Sequence, residues 1–369
     1  MKAPVVVYGA SGYTGKLISW HLATEKIPFL AAGRNQQRLE QQMEKVPELR
    51  GHDYSCQAAN HDVESLTKLF TGAKIVYNVT GPFMQIGEPV VQAALAAGCH
   101  YLDTTGEADW MRYIRDKYGK EFAAKKLVLS PACSYMWAAG LITAEIALET
   151  AGINSVEMLY FPDSNTSVAS TQSFLRMCTR PQYFIHNRKL EMWPMATAYP
   201  VKAPDSHRIY RALPWSGGGE AVWFENDPRV ANCSTLVAFK SDVMFGAVIK
   251  VLEDFEVKYR SLSEADQEKA CFELGAAITT AEPGREDPDV NRLTQSCYGW
   301  GNANGVSVVC RGNSGYLQTA AYAAEACRRI LAGKLLATGF QSPAKAFGAR
   351  NLLACCADRG YTRWESQPV

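Results

Sequence analysis

Short apolar runs alternate with amphipathic stretches over the first 150 residues. Pro4-Val5-Val6-Val7-Tyr8 predicts a buried strand, and the stretch after it puts Leu17, Ile18, His21 and Leu22 on one helical face. Ile27 to Gly33 reads as a second strand, Gln36 to Val46 as a polar helix, Tyr54 to Ala58 as a short strand and Val63 to Phe70 as a helix. Gly72 to Val79 is a further apolar strand, and Glu88 to Ala97 a helix with Gly98 as its left-handed stop. Cys99 to Leu102 and Leu127 to Leu129 supply a fifth and a sixth strand on either side of another helix. Strands and helices alternating at this spacing predict an α/β fold with a doubly wound parallel sheet, whose ligands bind beyond the carboxyl ends of the strands.

From about residue 153 the pattern changes. Val156 to Tyr160, Ser234 to Phe239 and Gly305 to Cys310 read as strands separated by long turn-rich segments. They predict a second, α+β domain with an antiparallel sheet and helices on one face. Trp215-Ser216-Gly217-Gly218-Gly219-Glu220 is glycine-rich and reads as a mobile loop, with a lid over substrate as its candidate role. Tyr316 to Leu331 is a helix with Arg328 and Arg329 in its last turn, and Ser342-Pro343 opens another. The expected organisation is a dinucleotide-binding domain over 1–150, an α+β substrate and oligomerisation domain over 151–315, and C-terminal helices over 316–369 that return to the first domain.

Composition narrows the class. The chain has 369 residues, is 47% hydrophobic and 20% charged, and carries a net charge of +1. That balance lacks the basic stripe of a nucleic-acid surface. The most apolar window, Tyr135 to Leu148, is too short to span a bilayer and contains Glu145, so no membrane insertion is expected. Eleven scattered cysteines without a C-x-x-C suit reduced thiols and a cytoplasmic setting. Six isolated histidines and no H-E-x-x-H argue against a metal site.

The densest chemical signal is Gly9-Ala10-Ser11-Gly12-Tyr13-Thr14-Gly15, between the first strand and the first helix. A strand, a glycine turn and a helix start bind a pyrophosphate, because the first helical N–H groups lack internal partners and carry partial positive charge. The ribose-reading position lies roughly 20 residues further on, at the end of the second strand. It holds Arg34-Asn35, with Arg38 on the same helical face and no carboxylate from Pro28 to Leu39. A guanidinium there favours the 2′-phosphate of NADP(H) over the ribose hydroxyl of NAD(H). Three strand tails converge on this cofactor: Thr80-Gly81-Pro82-Phe83, Asp103 to Glu107, and Pro131 to Tyr135 with Cys133 among them.

The string Tyr8 to Gly15, Ala32-Gly33-Arg34, Gly81-Pro82-Phe83 with Gly87, Ala97 to Glu107 and Gln341 to Gly348 resembles the saccharopine dehydrogenase-like oxidoreductases, and within them the trans-acting enoyl reductases. The resemblance is specific over 1–135 and loose from there to about 315. It implies an NAD(P) fold with an inserted α+β domain and a small-molecule substrate between the two. Related chains continue after the matching cysteine with Gly-Phe-Asp, whereas here Cys133 precedes Ser134-Tyr135-Met136-Trp137, so no aspartate-based role carries over.

Tyr135 is the candidate proton donor, since a phenol beside a nicotinamide can protonate an enolate or alkoxide; packing between domains is its other reading. Glu107 and Asp103 either bind substrate or cap the next helix, and capping is the commoner job for carboxylates there. Cys133 reads as a small buried residue. The Y-x-x-x-K string Tyr113 to Lys117 reads as a solvated helix face. Trp137, Trp215 and the neighbouring aromatics either build the core and a homodimer surface or line an apolar substrate pocket. The expected function is NADPH-dependent reduction of a conjugated C=C or C=O in a fairly large apolar substrate. The alternatives are a dehydrogenase of an amino-acid conjugate such as saccharopine, with Arg176, Arg180, Arg188, Arg208 and Arg211 as anchors, and a non-catalytic NADP(H)-binding redox sensor.

Overall fold

A computed structural model describes residues 3–284, 286–287 and 290–369. The N-terminal run contains β1 (Val5–Tyr8), α1 (Tyr13–Thr24), β2 (Phe29–Gly33), α2 (Gln36–Glu44), β3 (Tyr54–Ala58), α3 (Val63–Phe70) and β4 (Ile75–Asn78). It continues with α4 (Phe83–Ile86), α5 (Glu88–Ala97), β5 (His100–Asp103), α6 (Ala108–Ala124), β6 (Val128–Ser130) and α7 (Tyr135–Leu148). Then come β7 (Ile153–Asp163), α8 (Val168–Thr179), β8 (Tyr183–His186), β9 (Lys189–Met192), β10 (Tyr199–Lys202), β11 (Ile209–Leu213) and α9 (Gly218–Phe224). The remainder comprises β12 (Asn232–Ala238), α10 (Asp242–Lys258), α11 (Glu264–Ile278), β13 (Arg292–Gly301), β14 (Gly305–Asn313), α12 (Gly315–Leu331), β15 (Gly339–Phe340), α13 (Pro343–Phe347), α14 (Ala349–Ala357) and β16 (Thr362–Pro368).

These elements form two compact units. The first holds 1–105, 110–138 and 315–359; the second holds 106–109, 139–314 and 360–369. The first unit is built on a seven-stranded sheet in the order β15-β6-β5-β4-β1-β2-β3, with every pairing parallel. Its central strands β1 and β4 are buried at every position, which explains why their sequences are continuous apolar runs rather than alternations. Chain order reverses between β1 and β4, so the crevice that ordinarily takes a ligand opens at their carboxyl ends. The C-terminal helices return to this unit, with α12 packed on α1 and β15 paired with β6 as the outermost strand, but residues 360–369 do not: β16 joins the second unit's sheet.

The second unit is a nine-stranded sheet ordered β10-β11-β12-β7-β13-β14-β16, with β8 and β9 attached beside β12. Three expectations are corrected here. The sheet is mixed rather than antiparallel, because β12 runs parallel to β7. Four strands read as turn-rich chain, β8 to β11, are real; they are short and largely exposed, so burial leaves little imprint on their composition. The glycine-rich stretch from Trp215 is a 3-10 turn leading into α9, with Gly217 to Phe224 buried, so it is neither a loop nor a lid. Its glycines serve close packing: a Cβ on Gly217 would lie 2.1 Å from the Tyr183 carbonyl oxygen.

Candidate functional site

The crevice begins at Gly9. Its φ of +95° suits glycine, and a Cβ there would lie 2.6 Å from Thr80 Oγ1, on the tail of β4. Gly9 and Ala10 both donate to the Ala32 carbonyl at 2.9 and 3.2 Å, which ties the turn to the end of β2. Gly12 is the N-cap of α1 and brings no side-chain cap, and the first turn contains no acidic residue. Gly15 lies so close to the turn that a Cβ would stand 2.4 Å from Gly9 O. The glycines therefore leave a cradle at a positively polarised helix end, and an anion fits it.

Around that cradle the predicted residues take several roles. Ser11, Tyr13 and Thr14 are half-buried along the turn, and the Tyr13 ring meets Tyr316 edge-on at 5.0 Å. Thr80 Oγ1 donates to Tyr8 O at 3.3 Å, and the Thr80 amide donates to Asn78 Oδ1 at 3.0 Å. Gly81 is exposed, Pro82 half-buried, and the Phe83 ring packs into the core. Arg34 and Arg38 are exposed beyond β2, and neither enters an ion pair among the described residues. Asn35 is committed elsewhere, since its side chain accepts from Arg38 N at 2.8 Å and caps α2.

Two polar hubs take roles that the sequence did not suggest, Asp103 among them, in place of the expected substrate contact or helix cap. The Asp103 carboxyl at the end of β5 is fully buried. It accepts from Tyr101 Oη, Trp110 Nε1, Thr105 N and Ala132 N at 2.8–3.0 Å. Burial raises its pKa to about 6 despite these donors. It locks the tails of β5 and β6 together. The second hub is Tyr8 with His61: Tyr8 Oη lies 2.7 Å from His61 Nδ1, and His61 Nε2 lies 2.8 Å from Ile86 O. The Nε2 proton therefore goes to the carbonyl and the tyrosine donates to Nδ1. Burial pushes the Tyr8 hydroxyl up to about 12, so it stays a donor. A polar residue ending an otherwise apolar strand was the available signal for both.

Cys133 is fully buried, its amide donates to Asp103 O at 2.8 Å, and burial pushes its thiol up to about 12. Its buried, protonated thiol is unreactive. Tyr135 is buried at the start of α7; its amide donates to Thr319 Oγ1 at 2.9 Å, and its ring covers Gly315, where a Cβ would stand 2.9 Å from Cδ1. The Tyr113–Lys117 string lies on α6 as a surface cluster, with Tyr113 Oη donating to Glu88 at 2.7 Å.

Trp137 is fully buried in the first unit. In the second unit, Trp215 packs at 4.0 Å on Phe174 and stacks on Phe239. Glu107, also without exposure, pairs with Arg176 at 3.0 Å, and Arg176 binds Asp109 and Glu268 as well. The other arginines are engaged too: Arg180 with Glu268, Arg208 with Asp242, Arg188 with Pro228 O, and Arg211 over the Phe245 ring. They do not form a free cationic cluster.

Residues 5–126 match the saccharopine dehydrogenase NADP binding domain, and residues 138–364 match a family of unknown function, DUF5938. A Caenorhabditis elegans "lipid droplet localized protein" is 30% identical over 191 residues, which is 50% of this chain and 42% of that one. A mouse "saccharopine dehydrogenase-like oxidoreductase" is 32% identical over 33% of this chain and 32% of its own length. A Mycobacterium ulcerans "trans-acting enoyl reductase" is 32% identical over 36% of this chain and 32% of its own. The matched stretches thus span less than half of these relatives. The fold matches yeast saccharopine dehydrogenase (L-Glu forming) with a TM-score of 0.62 at 12% identity, covering 99% of this chain and 100% of that one. No helix among the described residues is long and apolar enough to cross a membrane. The chain belongs to the DUF5938 family, and its first unit is a saccharopine dehydrogenase-like, NADP(H)-binding α/β domain.

Proposed function

We propose that this protein is an NADPH-dependent reductase that saturates a conjugated C=C or reduces a C=O in a fairly large, apolar substrate. The observation that carries the reading is the glycine cradle at the start of α1 combined with two exposed cations, Arg34 and Arg38, at the ribose end of the crevice. The cradle residues Gly9, Gly12 and Gly15 would take the pyrophosphate through backbone N–H groups. Arg34 would pair with the 2′-phosphate, which a lone point charge does less well than a planar fork. The bound dinucleotide supplies a hydride; the protein has to orient it and handle one proton. Tyr135 is the proposed proton donor.

An apolar substrate is supported by the names of two relatives, one placed at lipid droplets and one an enoyl reductase. The engaged arginines of the second unit weigh against a three-carboxylate ligand of the saccharopine type, which needs cations to spare. Glu107 is held by Arg176, so the proposal asks no substrate contact of it.

Stopped-flow absorbance tests the reading. Purified protein with NADPH should oxidise the cofactor when given a panel of acyl enones and long-chain ketones. NADPH oxidation by none of them, with turnover of saccharopine and NADP+, would replace the proposal with the dehydrogenase reading. Tight NADPH binding with no turnover of either class would leave the redox sensor.

A further inference from the structure

In the second unit, β13 carries Tyr298 and Trp300 on the same face of the sheet. Their rings lie nearly parallel, 19° apart, with centroids separated by 5.8 Å, and form one continuous aromatic surface. Tyr298 is 45% exposed, although a tyrosine with this much ring area normally seeks cover. The two rings line a shallow depression of about 450 Å³, which the hairpin turn at Gly301, Asn304 and Gly305 also lines. Asn304 donates to Ala151 O at 2.6 Å, which ties this turn to the chain before β7.

Glu157 lines the same depression, directly across the β7–β13 ladder from Tyr298. The row through this position reads Ser234, Glu157, Tyr298, Ser307 and Gln367 across five strands, with no cation in it. Glu157 has no ion pair among the described residues. Partial desolvation by the surrounding chain holds its pKa above the ordinary value, a cost that a bound cation would remove.

A carboxylate beside two stacked, electron-rich rings, in a depression without competing cations, matches one ligand chemistry. We propose that this depression binds an organic ammonium group, with the methylated nitrogen over the Tyr298 and Trp300 rings and Glu157 as its counter-ion. Aromatic faces attract such cations through their quadrupole, and methyl groups lower the cost of taking the nitrogen out of water. A protonated primary amine satisfies the carboxylate but loses more hydration, so the quaternary form is favoured. The ammonium is carried either by a soluble small molecule or by a choline lipid headgroup.

Ligand-observed proton NMR on the full chain tests this, with choline as probe and 3,3-dimethylbutan-1-ol as its uncharged isostere. Choline should bind saturably, its N-methyl resonance should move upfield from the ring currents, and the isostere should bind about fivefold more weakly or worse. Glu157→Gln should weaken choline by about fivefold and leave the isostere unchanged, because only the charge is lost. Trp300→Ala should abolish the upfield shift, with circular dichroism and NADPH affinity unaltered as the check on folding. Flotation on phosphatidylcholine vesicles but not phosphatidylglycerol vesicles, lost in Glu157→Gln, identifies the headgroup; choline binding without flotation identifies the soluble form. Equal affinity for choline and isostere, an unaffected Glu157→Gln, or no saturable choline binding overturns the proposal.

Discussion

Replacing Glu220 by glutamine should remove a pH-dependent instability built into the second unit. The Glu220 side chain is fully buried, and its oxygens accept from Tyr160 Oη at 2.9 Å and Thr235 Oγ1 at 3.2 Å. Tyr160 Oη in turn accepts from Gly140 N at 2.7 Å. Gly140 and Gly218 press on the carboxyl, with Cβ positions that would fall 2.1 and 2.2 Å from its oxygens. No cation is among the partners that set its pKa, so burial dominates and raises it from 4.5 to about 8. The unfolded chain ionises this group near pH 4.5 while the folded protein keeps its proton until about pH 8. The folded state therefore holds more protons than the unfolded state across that interval, and stability falls as pH rises through it.

Asp103 acts between 3.8 and about 6, and His21 and His100, lowered to about 4, act below 6.5, while the buried thiols, raised from 9.0, act from about pH 8 upward. From pH 6.5 to 8 the Glu220 slope remains, at about 1.4 kcal/mol per pH unit, or roughly 2 kcal/mol in all. For a unit of this size that is a fall in Tm of about 4–8 °C. Glutamine keeps the acceptor for Tyr160 and cannot ionise. Thermal denaturation followed by near-ultraviolet circular dichroism at pH 6.5, 7.0, 7.5 and 8.0 provides the comparison. Glu220→Gln should show a nearly flat Tm across this series. Parallel profiles for the two proteins would refute the assignment of the slope to Glu220.

Arg34→Asp should reverse the cofactor preference, weakening NADPH by about 10- to 100-fold in a fluorescence titration through loss of one charge-assisted contact, about 1.5–3 kcal/mol. Tyr135→Phe should lower single-turnover NADPH oxidation by about 10²–10⁴-fold with unchanged NADPH affinity, since the ring still covers Gly315; near-wild-type turnover would return Tyr135 to a packing role. Gly15→Ala drives a methyl to 2.4 Å from Gly9 O, so calorimetry should show NADPH affinity reduced by more than about tenfold with a loss of about 1–3 kcal/mol in stability. Arg176→Met strands the fully buried Glu107 carboxylate and should cost about 3–5 kcal/mol in urea denaturation, with much of it restored by adding Glu107→Gln.

The first unit was legible because parallel strands buried on both faces write themselves as apolar runs. The helix from Val63 to Phe70 and the one from Glu88 to Ala97 lie where their patterns put them, with Gly98 at φ +72° as the stop. The apolar window from Tyr135 to Leu148 is helical apart from a kink at Met136, whose backbone is extended. The second unit was far less legible. β16 is an edge strand whose residues after Thr362 are all exposed, so Arg363-Trp364-Glu365 carries no alternation. The Gly217-Gly218-Gly219 run misled because glycine means mobility only in solvent; here it means crowding against Tyr183 and Glu220. The absence of a carboxylate after β2 singled out Arg34, which lies exposed there. Asp103 was visible as a residue but not as a hub, since its donors come from β5 and its tail, from α6 and from Ala132 after β6.

The last strand of the first unit's sheet has a consequence for how the protein is made. β15 hydrogen-bonds to β6, and α12 covers α1, yet both are encoded after the 176 residues from 139 to 314. At about 5–20 residues per second, the ribosome needs roughly 10–35 s to deliver them. Throughout that interval β6 is a bare strand edge and α1 lacks the apolar cover it will have. The nascent chain is then exposed to edge-to-edge pairing with its neighbours on a polysome. Chaperone occupancy should accordingly peak on chains arrested before Gly339 and fall once that strand leaves the exit tunnel.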